Sequence, residues 1–370
     1  MCGCMHVARY LQTMEKKSIL PALLLFFVLS WNACRQQDVE FRADSSHITY
    51  MGRTYVTDNG GVAFNYPGVT ALLSFEGSRL DMLASRGCGD FMVEVDGGVP
   101  RRLHYGENDS LLTVADSLGE GPHSVRITYA IEGYEKNPVI RGFVMPGGSR
   151  LLDAPKKGKL KMEFIGNSIT CGYGAAAPDG ARGFSYDTEN HCLTYAYLTG
   201  RALDADVNVV ARSGIGMYRN YNGPLEGDSV GTMPMEYDRT LLYDAEHMWD
   251  FSRFQPDVVC INLGTNDTST DNYDISLFER AYDGFLTHLR EVYPSAKIVL
   301  LTGSMLQGQP LEDVRGALDR LASRHEGTYR FDMSPQTGEL GMGADGHPSA
   351  RQHARMAEEL TKFIQLAISN

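Results

Sequence analysis

Glu163-Phe164-Ile165-Gly166-Asn167-Ser168-Ile169-Thr170-Cys171-Gly172-Tyr173-Gly174 is the stretch that decides the fold. Upstream of it, Leu160 to Ile165 alternates and then runs apolar, the pattern of a buried strand. Gly166 breaks that run, a polar triplet follows, and the apolar pattern resumes only after the turn at Cys171 to Gly174. A serine at the C-terminal end of a central strand stands where open α/β sheets place their ligands. There the hydroxyl is accessible, and a following helical turn aims backbone N–H groups at developing negative charge. An isolated Gly-x-Ser equally fits a serine that only caps a helix, so the rest of the chain has to decide.

Around this stretch, strand-like and helical runs alternate from residue 158 to 370. Strands are expected at Leu160 to Ile165, Val207 to Val210, Asp257 to Leu263, Lys297 to Leu301 and Thr328 to Asp332. Helices are expected near Leu193 to Leu203, Met235 to Trp249, Ile275 to Val292 and Leu311 to Arg324, and from Pro348 to about Ile368, where proline suits a first turn. Such alternation predicts a doubly wound, mostly parallel α/β sheet. Residues 41–150 differ: short β-rich runs, among them Val69 to Phe75, Phe91 to Asp96, His123 to Ile131 and Val139 to Val144, are separated by Gly, Pro, Asn and Asp. This spacing predicts an all-β sandwich, either a carbohydrate-binding module or a companion that rigidifies the second domain. Pro146 to Gly158 reads as the linker.

With 370 residues, 43% of them hydrophobic, the chain is long enough for two domains with sizeable cores. Its net charge of −12 argues against a nucleic-acid or anionic-membrane partner and is compatible with a neutral, hydroxyl-rich substrate. Residues 1–34 carry a signal-like layout: Lys16-Lys17, an apolar run from Leu20 to Leu29, then Ser30-Trp31-Asn32-Ala33-Cys34. The run falls short of the ~20 apolar residues that span a bilayer. Met14 opens a more typical signal than Met1. Export to the periplasm, the outer membrane or the medium is therefore expected. Cys34 after Ala33 is a candidate lipid anchor, the one membrane attachment expected. Trp31 stands where such signals carry a leucine-like residue, so cleavage and release is the other reading. The other cysteines lack metal-ligand spacing, and no metal or organic cofactor is expected. Cys171 and Cys192 flank one loop and could pair in an exported protein, or remain independent thiols.

Four chemistry-bearing segments follow strand ends or precede the last helix: Ser168, Ser213-Gly214-Ile215-Gly216, Gly264-Thr265-Asn266-Asp267 and Asp345-Gly346-His347-Pro348. Parallel strands bring such ends to one crevice. Serine is a weak nucleophile that needs an imidazole to take its proton, and His347, in a loop before a helix, is the candidate base. The oxyanion formed at an ester carbonyl needs fixed donors, for which the N–H groups of Ser168 and Gly214 and the amide of Asn266 are candidates. Asp267 is expected to hold its loop, His325 and His353 to lie on the surface, and His191 in a loop. Tyr173, Tyr186 and Trp249 are candidates for sugar stacking or for core and rim roles. Arg212 and Arg219 either frame the crevice or are solvated charges.

These blocks, in this order, resemble the SGNH (GDSL-like) hydrolases. Ser168 to Gly174, Ser213 to Gly216, and Thr188-Glu189-Asn190 before the Leu193 helix resemble the two-domain carbohydrate esterase family 2. The resemblance covers nearly the whole mature chain. It implies a jelly-roll sandwich ahead of a flavodoxin-like SGNH domain with a five-stranded parallel sheet. It also implies a serine esterase removing acetyl groups from polysaccharides such as xylan or glucomannan. The partner is then an acetylated poly- or oligosaccharide. A lipase or thioesterase on the same scaffold, or a carbohydrate binder with a decayed site, are the competing readings. Two positions depart from the family pattern. Asn167 replaces the usual Asp, a change read as tuning. Ala344 stands three residues before the histidine, where the family places its acid. Asp345 is then expected as the third catalytic residue, with a neighbouring carbonyl such as that of Gly346 as the alternative.

Overall fold

The structure, a computed structural model, describes residues 37–369; the signal-like segment and Cys34 lie outside the described residues. The first part is built from β1 (Val39–Arg42), β2 (Ile48–Met51), β3 (Tyr55–Val56), β4 (Val62–Ala63), β5 (Thr70–Glu76) and β6 (Leu80–Ala84). It continues with β7 (Gly89–Val95), β8 (Arg101–Tyr105), β9 (Leu111–Ala115), β10 (Pro122–Tyr129), β11 (Val139–Met145) and β12 (Arg150–Leu151). Two antiparallel sheets result, β3-β4-β11-β6-β9 with β1 on β11, and β12-β5-β10-β7-β8 with β2 on β5. Their facing side chains alternate inward along each strand, as in a sandwich. Val125, Ile127 and Tyr129 of β10 and Phe91 and Val93 of β7 are buried, and Phe91 meets Phe64, Tyr105 and Tyr129 edge-on. Asp96 and Gly97, at φ 50° and 69°, make the tight turn after β7.

Part of the stretch read as linker is strand: Pro146-Gly147-Gly148 turns the chain so that Leu151 pairs with Phe75 and is buried beside it. The β1, β2, β3, β6 and β8 strands were not apparent from the sequence. In β8 (Arg101-Arg102-Leu103-His104-Tyr105) only Leu103 and Tyr105 are buried, so its apolar signal is short.

The second part places β13 (Lys161–Gly166), β14 (Asp206–Ala211), β15 (Val258–Asn262), β16 (Lys297–Thr302) and β17 (Thr328–Asp332) in the all-parallel order β14-β13-β15-β16-β17. This is the flavodoxin-like order 2-1-3-4-5, whose switch point lies beside the first strand. The helices are α1 (Ser168–Cys171), α2 (Tyr195–Ala202), α3 (Met233–Glu236), α4 (Ile275–Val292), α5 (Gly308–Arg324) and α6 (Ala350–Ser369). On α4, Phe278, Tyr282, Phe285 and Leu289 recur at helical spacing and bury against Ile261 and Leu300, while Asp274 caps its first turn through Ser276 N–H (2.8 Å). On the other face, Met356, Leu360 and Ile364 of α6 cover Phe164 and Cys260.

The helix expected over Met235 to Trp249 is largely absent. Beyond α3 the segment is shaped by the sandwich instead. Asn65 brackets Leu242, accepting its N–H (2.8 Å) and donating to its carbonyl (3.1 Å), and Arg53 holds the carbonyls of Tyr237 and Arg239. Tertiary partners override helical periodicity here. Among the described residues, the cysteines are free and buried, so Cys171 and Cys192 are independent thiols.

Candidate active site

Asn167 leaves β13 in extended conformation and caps α1, its Oδ1 accepting Ile169 N–H at 3.1 Å. Ser168 is thus the first residue of the helix, where backbone N–H groups have no intrahelical acceptor. Gly174 admits the distant histidine segment: a Cβ there would lie 2.6 Å from Ala344 N, and its carbonyl accepts that N–H at 3.3 Å. His347 Nε2 stands 2.9 Å from Ser168 Oγ, and His347 Nδ1 stands 3.0 Å from the carbonyl of Ala344. A carbonyl only accepts, so Nδ1 carries the hydrogen and Nε2 offers its lone pair to the serine hydroxyl. Tyr173 stacks on the imidazole with centroids 4.1 Å apart.

Asp345 does not orient the imidazole, contrary to the expectation. Its backbone turns at φ 51°, and its exposed carboxylate accepts from Tyr173 Oη (2.7 Å) and Gly183 N–H (3.0 Å). The carbonyl that meets Nδ1 belongs to Ala344, not Gly346. Position 344 therefore supplies main chain where an acidic side chain was missed. Asp345 meets Tyr173, which stacks on His347, and its carboxyl is held below the ordinary range by the Gly183 N–H and the Tyr173 hydroxyl. Asp345→Ala should therefore lower kcat by about tenfold or less, the worth of an exposed hydrogen bond, against roughly 10,000-fold for a triad carboxylate. Steady-state kinetics on an acetyl ester reads the difference.

Burial pushes the His347 pKa below its ordinary value, outweighing the opposing Ala344 carbonyl and Asp345 charge. A general base works in its neutral form, so a lowered pKa keeps it competent further into acid. The acid limb of kcat/KM should lie below pH 6.5, the ordinary histidine value. A limb centred above that value would contradict this environment.

The predicted donors line the same crevice of about 580 Å³, with Ser168 and His347. Gly214 follows β14 at φ 80°, a conformation that suits glycine, and its carbonyl accepts Tyr221 N–H at 2.8 Å. Asn266 donates one amide hydrogen to Ile215 O (2.8 Å), which fixes the group and leaves the other hydrogen for a ligand. Asp267 holds the loop as expected, accepting from Met217 and Tyr218 N–H (2.7 and 2.8 Å), and burial raises its pKa to about 6. Of the aromatic candidates Tyr173 lines the crevice. Trp249 is buried against Arg53 and Arg253, and Tyr186 hydrogen-bonds Glu135.

Arg219 is buried and donates to the carbonyls of Asp267 and Gly223, and Arg212 lies between Tyr134 and Tyr243; neither is a solvated charge. His353 is also buried, accepting Tyr195 N–H, and burial lowers its pKa to about 3; His325 is paired with Asp283. Tyr221, 61% exposed on the crevice rim, and Met305 in its wall carried no sequence signal.

Residues 50–155 match the carbohydrate esterase 2 N-terminal family, and residues 164–355 match the GDSL-like lipase/acylhydrolase family. The chain is 35% identical over 329 residues to the cellulase/esterase CelE of Acetivibrio thermocellus, covering 87% of this chain and 40% of that protein. It is 30% identical to an acetylxylan esterase / glucomannan deacetylase of Cellvibrio japonicus, covering 94% of this chain and 98% of that protein. A family two carbohydrate esterase from Clostridium thermocellum, solved in complex with cellohexaose, superposes with a TM-score of 0.81 at 34% identity, over 87% of this chain and 99% of that one. With both domains matched in order and the relatives alike over most of its length, this chain belongs to the two-domain family 2 carbohydrate esterases, carboxylic ester hydrolases of the GDSL-like lipase/acylhydrolase family.

Proposed function

We propose that the protein is an exported esterase that removes O-acetyl groups from plant polysaccharides or their oligosaccharides through an acyl-enzyme on Ser168. The observation that carries this reading is the Ser168–His347 contact at the floor of an open crevice. His347 Nε2 takes the hydroxyl proton as Oγ attacks the acetyl carbonyl. The oxyanion is received by Ser168 N–H, Gly214 N–H and the Asn266 amide. Collapse expels the sugar alkoxide, which takes the proton from Nε2, and leaves acetyl on Ser168. A water deprotonated by His347 then attacks that ester, releasing acetate and restoring the hydroxyl. Throughout, the Ala344 carbonyl accepts Nδ1–H and holds the ring in place.

The relatives named above, an acetylxylan esterase / glucomannan deacetylase and an esterase seen with cellohexaose, support a polysaccharide substrate. So do the polar groups along the walls, Tyr173, Tyr221, Thr265 and Asn266, which suit a hydroxyl-rich leaving group better than a long acyl chain. Export rests on the signal-like residues 16–34. The mass of the mature protein decides between a free terminus after Ala33 and a lipidated Cys34. Acetate release from acetylated xylan, glucomannan and mannan, with Ser168→Ala as control, tests the substrate. A flat profile across the three, or faster turnover of long acyl esters than of 4-nitrophenyl acetate, would count against it.

A further inference from the structure

The sandwich contributes a side chain to the wall behind the crevice. Glu132 follows β10, and its Oε1 accepts the N–H of Ser213, the residue immediately before Gly214. Beside it, Glu189 Oε2 accepts the Glu132 N–H at 3.2 Å. Glu132, Glu189 and Cys171 are all buried, with one ligand atom of each within 4.8 Å of the others. Like charges at such range inside a protein disfavour ionisation of the more deeply buried carboxyl. Burial, followed by the neighbouring Glu132 charge, pushes the Glu189 carboxyl well above its ordinary pKa.

The pair is pinned from both sides. Arg102 of β8 donates to the main-chain carbonyls of Glu189, Tyr186 and Asp187. His191 N–H donates to Ala130 O (2.8 Å), and His191 Nδ1 meets Thr170 O (2.8 Å) within α1. Residues 130–132 of the sandwich thus reach the helix that begins at Ser168 through His191, and the loop that carries Gly214 directly through Glu132.

We propose that Glu132 is a positioning residue for the oxyanion hole: paired with Glu189, it accepts the Ser213 N–H and so anchors the Arg212–Ser213 peptide, the unit directly before the one that presents the Gly214 N–H to the crevice. The β-sandwich is then part of the catalytic apparatus rather than a companion to it. The inference rests on the esterase reading above for the role of Gly214, and on geometry alone for the hydrogen bond.

Two measurements on the full chain test it. Glu132→Met keeps the volume and removes the acceptor; Glu132→Ala is the second deletion, and either folded variant decides. Misplacing one oxyanion donor should lower kcat on 4-nitrophenyl acetate by about 10- to 100-fold, below the 100- to 1,000-fold of deleting a donor outright, with KM changed by less than about threefold. Glu132→Gln should recover most of that loss, because its amide oxygen still accepts from Ser213 while its NH₂ donates to Glu189. Hydrogen–deuterium exchange of the peptide spanning residues 211–217 should speed up in the deletions and return to wild-type rates in Glu132→Gln. Wild-type kcat in a folded deletion variant would overturn the proposal. So would unchanged exchange, or an equivalent of bound metal lost in both Glu132→Ala and Glu189→Gln. An inert wild type with the exchange pattern intact would refute the esterase reading and leave the hydrogen bond standing.

Discussion

Ser168→Ala should lower turnover of an acetyl ester by about a million-fold, the scale seen when a catalytic serine is removed from a working constellation. The hydroxyl sits 2.9 Å from the one ring nitrogen of His347 that can accept its proton. The other ring nitrogen is committed to the Ala344 carbonyl. Removing Oγ leaves the imidazole and the crevice donors in place but takes away the nucleophile of the proposed acyl-enzyme. Alanine suits the first turn of a helix and is smaller than serine, so folding should not change. Kinetics alongside circular dichroism make the check. A folded variant retaining a tenth of wild-type turnover would mean that another group, or a directly activated water, attacks the ester.

The second large effect is on stability. Arg53, from the loop after β2, is fully buried, with Nη2 3.6 Å from Oε1 of Glu163 on β13. Its guanidinium also donates to the carbonyls of Tyr237 and Arg239 and lies 4.7 Å from the Tyr237 ring. Glu163 in turn accepts from the hydroxyls of Tyr237 and Tyr293 (the latter 3.2 Å). Breaking such a pair from one side strands a buried charge, which costs roughly 3–5 kcal/mol, whereas replacing both partners with neutral groups is often close to neutral. Arg53→Met should therefore destabilise the protein by about 3–5 kcal/mol in urea unfolding, and Arg53→Met with Glu163→Gln should recover a large part of it. Additive losses in the double variant would show that the two charges are not coupled.

How legible the molecule was in its sequence depended on whether a feature lives in side-chain patterns or in backbone direction. The five parallel strands announce themselves because a sheet buried on both faces needs continuous apolar runs such as Val258-Val259-Cys260-Ile261. Ser168, Gly214, Asn266 and His347 were legible because their blocks close consecutive strands or open the last helix, and a parallel sheet gathers those ends at one edge. What orients His347 was not legible. A carbonyl leaves no trace in residue identity, and the positive φ of Asp345 that turns its carboxylate toward Gly183 cannot be read from an aspartate. Glu132 was missed for a different reason. It stands far along the chain, in the other domain, and only the packing of the two domains brings it to Ser213. The failed helix after Met235 belongs with it, since Asn65 and Arg53 of the sandwich set that segment's path.

The most direct test of the account is to expose the protein to diethyl 4-nitrophenyl phosphate, which transfers a diethylphosphoryl group to an activated serine and releases 4-nitrophenolate. Peptide mass spectrometry should find one adduct per chain, on Ser168, with loss of ester turnover in step with its formation and with much slower labelling in His347→Ala. Full turnover after exposure, or a stoichiometric adduct on any other residue, would contradict the serine–histidine site.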